Sequence, residues 1–298
     1  MAMFSTVGLI GRPGSHHIDE ALRRLIHFLL ERDHQVVVEE GYAYLVEETS
    51  AAEASRVSVA PLQEMGASID LAVVLGGDGS MLGAGRALCE SNTPLVGING
   101  GRVGFLTDVA AEEMEQHLGA ILEGHYQAER RLLLDSVVVR DGKLLYSAHA
   151  LNDVVVHSGQ VARLIEFDLY IDDVFVYRQR SDGLIISTPT GSTAYALSAG
   201  GPILSPGLEV VALVPMCPHT LSSRPLVVPA DSRIKLKVCE HSAHEPVIAC
   251  DGQSTHSIQG GDELHIQRRP DSLELLHPVG HSFYESCRSK LGWTLHGR

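Results

Sequence analysis

The first half of the chain is organised around the segment LAVVLGGDGS, residues 71–80. Five apolar residues run into three glycines that surround one acid, Asp78. A short apolar run bounded by glycine is typical of a strand that is covered on both faces, as in a parallel sheet. Ligands of such sheets bind just beyond the carboxyl ends of the strands, and the sequence places Asp78 at such an end.

Asp78 suits two chemical roles and one structural role. The glycines beside it let backbone approach a bulky anion, and the N-terminus of the next helix offers N–H groups. A carboxylate alone repels phosphate, so Asp78 fits a base that takes a proton from a hydroxyl, or a group held near a phosphate-bound Mg²⁺. The structural alternative is a tight strand-to-helix turn in which Asp78 caps the helix.

Composition narrows the class of protein. The chain has 298 residues, enough for two domains, with 44% hydrophobic residues and a formal net charge of −14. An acidic chain has no basic surplus for nucleic acid or an anionic membrane, so neither is expected as a partner. The five scattered cysteines form no Cys-x-x-Cys pair, and no signal peptide or long apolar run is visible. We therefore predict a cytoplasmic protein.

Strand and helix patterns alternate through the first half of the chain. Apolar residues recur at intervals of three and four over 18–32, which predicts an amphipathic helix. Predicted strands and helices follow one another to residue 122, and 41–65 is interpreted as a loop with a helical piece. This alternation predicts a parallel sheet with helices on its faces.

The second half is rich in predicted strands. Asp141-Gly142 separates two strand patterns and predicts a tight hairpin, and Asp172-Asp173 indicates a second hairpin. Short strand patterns continue to residue 276, including separate strands over 263–266 and 273–276. Residues 193–199 form a helical pattern among them, and 281–293 is predicted as a final helix.

Two further segments carry side chains suited to a polar ligand. Asn152-Asp153 precedes the buried strand 154–156, and these side chains can hydrogen-bond to a base amine and a ribose hydroxyl. Such a pair also occurs in ordinary strand-end turns. The segment SDGLIISTPTGSTAYALSAGGP, residues 181–202, runs from a strand into a loop dense in hydroxyls. Hydroxyls and amides at a helix N-terminus suit an anionic ligand, and Tyr195 can stack on a base. The alternative is a surface loop with a helix cap.

Together these segments resemble the bacterial type of the NAD kinase family. The resemblance rests on GGDG at 76–79, GFLT at 104–107, Asn152-Asp153, Asp182-Gly183 with STPTGSTAY at 187–195, and DGQ at 251–253. GGDG alone also occurs in phosphofructokinases and lipid kinases. Ser80 stands where the family usually has Thr, and it keeps a hydroxyl.

The resemblance implies a two-domain architecture. An α/β N-terminal domain with a Rossmann-like, phosphofructokinase-like parallel sheet would cover 1–127, with the helix at 280–298 packing back on it. A β-rich NAD-binding domain would cover 128–279, and the active site would lie in the cleft between them. The reaction would transfer phosphate from ATP, with Mg²⁺ or another divalent metal, to the 2′-hydroxyl of NAD's adenosine ribose, giving NADP.

The resemblance also implies roles for individual residues. Asp78 would be the catalytic base. The residues that would bind the substrates are Gly79, Asn152, Asp153, Arg163, Arg180, Asp182, Thr193, Ala194, Tyr195, Ser198 and Gln253. Family members are usually homodimers or homotetramers. No metal ligand is assigned.

Two alternatives stay open at this point. A sugar or lipid kinase of the GGDG group would share the first segment, but the STPTGSTAY segment argues against it. A non-catalytic sensor of NAD or nucleotides would use the same pocket without turnover. A dehydrogenase is disfavoured, because no Gly-x-Gly-x-x-Gly segment follows any predicted strand.

Overall fold

The computed structural model describes residues 4–12, 16–47, 50, 53–101, 104–159, 164–239 and 246–293. The chain forms two compact units. The first consists of Met1–Arg130 with Leu273–Arg298, and the second of Arg131–Ser272.

The first unit is an α/β structure in which strands and helices alternate along the chain. Its N-terminal elements are β1 (Thr6–Gly11), α1 (His16–Leu30), β2 (Gln35–Glu39), α2 (Ala43–Glu47), β3 (Val57–Ala60), α3 (Leu62–Met65), β4 (Leu71–Gly76), α4 (Asp78–Leu88), β5 (Leu95–Asn99), β6 (Val109–Ala110) and α5 (Met114–Leu122).

The predicted parallel sheet is confirmed. Strands β5, β4, β1, β2 and β3 lie side by side in that order, and every pair is parallel. All six residues of β4 are buried, since α1 and α5 contribute to an apolar cluster with residues of the sheet. The carboxyl ends of β1, β4 and β5 therefore lie at one edge, beside Gly11, Gly76 and Asn99.

Two strands of this sheet were not predicted, β3 and the two-residue β6, which pairs with β5. β3 lies within the segment interpreted as a loop with a helical piece. Of its four residues only Val57 is buried, because β3 is an edge strand that pairs with β2 alone. A four-residue strand with one buried side chain leaves little hydrophobic pattern to detect.

The remaining elements are mostly strands. They are β7 (Tyr126–Arg140), β8 (Lys143–Ala150), β9 (Asp153–His157), β10 (Ile165–Ile171), β11 (Val174–Ser181), β12 (Gly183–Ser187), α6 (Tyr195–Ser198), β13 (Val210–Met216), β14 (Leu226–Pro229), β15 (Ile234–Val238), β16 (Val247–Cys250), β17 (Ser254–Ser257), β18 (Glu263–Pro278) and α7 (Phe283–Lys290).

The second unit packs two antiparallel sheets on one apolar core. One sheet has the order β14-β13-β12-β9-β16-β17, and the other includes β11, β10, β15 and the first part of β18. Val156 and Ile186 of the first sheet share a core with Phe167 and Leu236 of the second. The β-rich prediction is confirmed, and the sandwich explains it, because each sheet buries one face on the other.

Strands β9 and β12 are buried on both faces. Val154 and Val156 face the core between the sheets, whereas Val155 and Ile185 pack on the opposite face against Ala196 and its neighbours. The short helix α6 is therefore fixed to the outer face of the sheet by apolar contact. This places the loop before α6 directly beside the start of β9.

Both predicted hairpin turns are confirmed. Asp141 and Gly142 have φ angles of 49° and 73°, and Asp172 and Asp173 have 49° and 64°. Two consecutive positive φ angles give a turn whose twist matches the flanking strands. The predicted strands over 263–266 and 273–276 are one continuous strand, β18, and β14 and β17 were not predicted. No helix in the described part of the chain is long and apolar enough to cross a membrane.

Candidate active site

Asp78 lies in the first turn of α4, where its carboxylate anchors a separate turn. Its Oδ2 accepts a hydrogen bond from the backbone N–H of Phe105, and its Oδ1 accepts one from the N–H of Leu106, both at 2.9 Å. The N-cap position of α4 is Gly77, and no side chain caps the helix there. The structural alternative, in which Asp78 caps its own helix, is therefore wrong.

Gly104 explains why the GFLT segment begins with glycine. A Cβ atom at this position would collide with Asp78 Oδ1. The Gly104 N–H donates to the Thr107 hydroxyl at 3.0 Å and to the Thr107 carbonyl at 3.2 Å, which closes the turn. The turn thus presents two amides to one carboxylate, and each carboxylate oxygen keeps a lone pair for a ligand.

Lys290 of α7 brings a positive charge to the same region of the first unit. Its Nζ lies 4.7 Å from the centre of the Phe105 ring, is buried, and has no hydrogen-bond partner among the described residues. Burial lowers the pKa of Lys290, and the carboxylates of Asp78 and Asp108 act against that change. The ammonium therefore interacts electrostatically with Asp78.

A polar cavity of about 380 Å³ lies at the carboxyl end of β5 in the first unit. Asn99, Gly100 and Gly101 line it together with α1 residues that include His17 and Arg24. Asn99 Oδ1 accepts from the Gly101 N–H at 2.6 Å, while its buried Nδ2 has no hydrogen-bond partner among the described residues. An unsatisfied buried donor is costly, so a ligand with acceptor oxygens suits this cavity.

A larger cavity of about 500 Å³ lies in the second unit. Predicted site residues form much of its wall, namely Asn152, Asp153, Asp182, Ala194 and Tyr195. These residues come from the start of β9, the entry to β12 and the loop into α6, so three separate segments meet at one cavity. Tyr195 is 47% exposed and therefore offers much of its ring to a ligand.

The cavity also holds a pair of acids. Asp251 lies at the β16–β17 turn, and its carboxylate accepts hydrogen bonds from the N–H groups of Leu151, Asn152 and Asp153 at 3.1, 2.8 and 3.2 Å. Asp153 is only 4% exposed. Burial, and next the charge of Asp251, raise the pKa of Asp153 to about 7. Asp153 therefore exchanges its proton near neutral pH, inside the cavity.

The hydroxyls of the STPTGS segment do not line this cavity. Ser187, Thr188, Thr190 and Ser192 are all buried, so the surface-loop interpretation is wrong. The Thr188 hydroxyl donates to the Leu151 carbonyl at 2.6 Å and accepts from the Gly191 N–H at 3.1 Å. These hydroxyls brace the loop internally, and the loop in turn carries Ala194 and Tyr195 to the cavity wall.

The other predicted site residues lie outside the cavity walls. Thr193 is half-buried, whereas Ser198, Gln253 and Arg180 are exposed, the last on β11. Gly79 is the exposed second residue of α4, in the first unit. Arg163 lies outside the described residues.

Several residues of the cavity wall were not predicted from the sequence. Besides Asp251, the walls include His157, Ser158, Met216 and Ala249. Only Asp251 left a signal, because Asp251-Gly252 is a turn dipeptide, and both residues have positive φ, 52° and 63°. The others lie in or directly after β9, β13 and β16, and they meet only because β9 pairs with β12 and β16 and β12 pairs with β13.

Solved structures with the same architecture are nucleotide-binding kinases. The chain aligns with a yeast NADH kinase complexed with NADH at a TM-score of 0.89 and 25% identity, covering 100% of this chain and 93% of the other. It aligns with an Archaeoglobus fulgidus NAD kinase in complex with ATP at a TM-score of 0.72 and 27% identity, covering 96% and 97%. The fold is thus that of a two-domain dinucleotide kinase.

Sequence comparison identifies the family. Residues 7–126 match the ATP-NAD kinase N-terminal domain and residues 151–277 match the ATP-NAD kinase C-terminal domain. NAD kinases of Chromohalobacter salexigens and Teredinibacter turnerae are each 50% identical over 99% of this chain, covering 98% and 99% of their own lengths. The chain belongs to the ATP-NAD kinase family.

Proposed function

We propose that this protein transfers the terminal phosphoryl group of ATP to the 2′-hydroxyl of the adenosine ribose of NAD, giving NADP and ADP. Family membership supports this reaction, and the observation that carries it is the carboxylate of Asp78. It lies at the carboxyl end of β4 and is held by two backbone amides. A fixed carboxylate of this kind can take a proton from a positioned hydroxyl.

The chemical step needs little beyond positioning and charge neutralisation. The 2′-oxygen attacks the terminal phosphorus, the bond from that phosphorus to the bridging oxygen of ADP breaks, and Asp78 accepts the hydroxyl proton. A divalent cation such as Mg²⁺ would neutralise phosphate charge. The second lone pairs on the Asp78 oxygens fit such an ion, which here would be held mainly by the phosphates.

The larger cavity is proposed to hold NAD. Tyr195 would stack on the adenine, Ala194 would complete the wall beside it, and Asn152 with Asp153 would bind the adenine and ribose polar groups. Asp182 would meet the nicotinamide end. The supporting observation is that these residues converge on one cavity of suitable volume.

The polar cavity beside Asn99 is proposed to hold part of the phosphoryl donor. The Asn99 side-chain Nδ2, which has no hydrogen-bond partner among the described residues, offers N–H donors to phosphate oxygens, while Arg24 supplies a nearby positive charge. Arg24 also contacts Glu115 at 3.0 Å, so its charge is shared with that acid.

One assay separates this proposal from its alternatives. The protein is incubated with NAD, ATP and Mg²⁺, and NADP is detected with an NADP-specific dehydrogenase. The proposal predicts NADP formation that depends on both substrates. A sensor would bind NAD without forming product, and a sugar or lipid kinase would consume ATP only with its own acceptor. Either result would reject the proposal.

We also propose a homodimer or homotetramer that functions in the cytoplasm. The edge strand β11 carries three exposed apolar residues, Val174, Phe175 and Val176, at 66%, 52% and 39% exposure. Such a patch on an edge strand favours association. None of the five cysteines, all of which lie in the described part of the chain, forms a disulfide, which suits a reducing compartment. Light scattering measures the assembly, and a monomer at micromolar concentration would reject that part of the proposal.

A further inference from the structure

A cluster of two histidines and an acid in the first unit has no part in the proposed reaction. Asp108 follows directly after the turn that holds Asp78, His277 lies near the end of β18, and His281 lies between β18 and α7. Asp108 Oδ2 is 3.0 Å from His277 Nδ1 and 2.7 Å from His281 Nδ1. All three side chains are largely buried, with 15%, 3% and 12% of their surface exposed.

We propose that Asp108, His277 and His281 form a binding site for one divalent transition-metal ion of the zinc class. The three potential ligand atoms lie within 4.8 Å of one another. Two imidazole nitrogens and a carboxylate oxygen are ligands that Zn²⁺ and Co²⁺ accept readily, whereas Mg²⁺ prefers oxygen alone. Water would complete the coordination.

The spacing of the ligand atoms permits this assignment after a small adjustment. Two atoms bonded at about 2.1 Å to one tetrahedral ion are about 3.4 Å apart. The contacts of Asp108 with the two histidines, at 3.0 and 2.7 Å, are shorter because they are hydrogen bonds, so ion binding would move each nitrogen a few tenths of an ångström away from the carboxylate. The ion would replace the protons that now lie between these atoms, so binding releases protons to solvent.

A fourth residue, Glu129, lies beside the second ring nitrogen of His277. Glu129 Oε2 lies 3.5 Å from Nε2 of His277, on the side of the ring opposite to Asp108. A histidine that ligates a metal usually directs its other ring nitrogen to a carboxylate, which fixes the tautomer. Once the ion displaces the proton from Nδ1 of His277, Glu129 lies near enough to favour the remaining proton on Nε2.

The charges around the cluster permit a dication. Asp108 and Glu129 supply two negative charges, and the Lys290 ammonium interacts with Asp108. With both imidazoles neutral, this group carries about one net negative charge before the ion binds.

The rings of His277 and His281 are stacked at 3.9 Å with planes 11° apart, so ion binding requires one ring to tilt. His281 is the more exposed of the two and lies outside regular secondary structure.

Direct metal binding tests this proposal without measuring kinase activity. The full chain is treated with a chelator, dialysed, and titrated with Co²⁺ and then Zn²⁺ in the absence of NAD and ATP. We expect one Co²⁺ per chain, a visible absorption band typical of mixed nitrogen and oxygen ligands, and loss of that band when Zn²⁺ displaces the cobalt. Wild-type protein that binds no stoichiometric ion would overturn the proposal.

Variants locate the ion. His281→Gln is expected to weaken Co²⁺ binding at least tenfold, and Glu129→Gln to weaken it by about tenfold or more. The matched control His265→Gln changes a half-buried histidine earlier in β18 and should bind as wild type does. A Co²⁺ affinity that His281→Gln leaves unchanged would contradict the site. Thermal unfolding without metal checks that each variant folds. If His281→Gln does not fold, Asp108→Asn removes another ligand and is tested for weaker Co²⁺ binding in the same way.

Discussion

At the residue scale, the position of Asp78 depends on the absence of a side chain at Gly104. The collision of a Cβ with Asp78 Oδ1 could be relieved only by moving the carboxylate or the turn. We therefore expect Gly104→Ala to lower kcat at least tenfold, because about 1 Å of misplacement can cost as much as a hundredfold in rate. NAD affinity should change little, since Gly104 does not line the larger cavity. Steady-state kinetics with a separate NAD titration measures both, and wild-type kcat would contradict the close contact.

Lys290 gives a second prediction at this scale. Burial lowers the pKa of its ammonium, whose Nζ has no hydrogen-bond partner among the described residues, so the folded state binds this proton less tightly than the unfolded state does. Lys290→Met removes the buried charge and should raise the free energy of unfolding at pH 7, where lysine in the unfolded chain is protonated. Lys290→Arg keeps the charge and serves as the control. Urea unfolding measures the three proteins, and a Lys290→Met variant no more stable than wild type would show that burial of this ammonium carries no cost.

At the element scale, the β16–β17 turn and the start of β9 place two acids together. The pKa of Asp153 rises from its ordinary 3.8 to about 7 on folding, so the folded state binds this proton more tightly than the unfolded state. The free energy of unfolding therefore decreases as pH rises from about 4 to about 7, and this contribution is constant above that range.

Asp153→Asn removes this penalty. We expect the variant to be more stable than wild type at pH 8, by up to about 4 kcal/mol, with a gain that shrinks toward pH 5. Urea unfolding at several pH values measures the difference. A stability difference that does not vary between pH 5 and 8 would contradict the raised pKa that burial, and next the charge of Asp251, give to Asp153.

The two hydrogen bonds of the Thr188 hydroxyl hold the loop before α6 in its conformation. Thr188→Val keeps the shape but leaves the Leu151 carbonyl and the Gly191 N–H without this partner. We expect a loss of about 1–3 kcal/mol in stability and a higher KM for NAD, because Ala194 and Tyr195 lose their support. The control Thr193→Val removes a weaker contact of 3.3 Å to Thr190 and should have a smaller effect. Equal effects in the two variants would reject the bracing role.

The elements that could be predicted from sequence are those in which local chemistry decides the conformation. Asp141-Gly142 has one favourable arrangement as a two-residue turn, and β4 is apolar throughout because both its faces are covered. The strand β18 was divided in two because the segment RRP at 268–270 interrupts its apolar pattern. The burial of Thr188 could not be predicted, since its partner, the Leu151 carbonyl, is 37 residues away.

In the candidate site, too, only residues that lie in a recognisable local segment could be predicted. Asp78, Asn152, Asp182 and Tyr195 could be singled out from segments that resemble a family. The amides that hold Asp78 could not, because the sequence does not show that the GFLT turn packs against α4. Asp251 was missed as a cavity residue for the same reason, since its contacts with Leu151 and Asn152, just before β9, span about 100 residues of sequence.

At the scale of the whole molecule, the proposed reaction uses both units of the chain. We propose that the first unit supplies the carboxylate that takes the proton and that the second supplies the cavity that binds NAD. Each unit has its own apolar core, so a substitution in one should leave the fold of the other intact. Binding and turnover are therefore expected to be separable by a single substitution.

Asp78→Asn is the most direct test of the central claim, that Asp78 is the general base for the 2′-hydroxyl of NAD. Both NAD affinity and NADP formation are measured on the same preparation. We expect NAD to bind as tightly as to wild type, while kcat decreases by about 10²–10⁴-fold, the usual effect of losing a general base. Turnover close to that of wild type in Asp78→Asn would contradict the account.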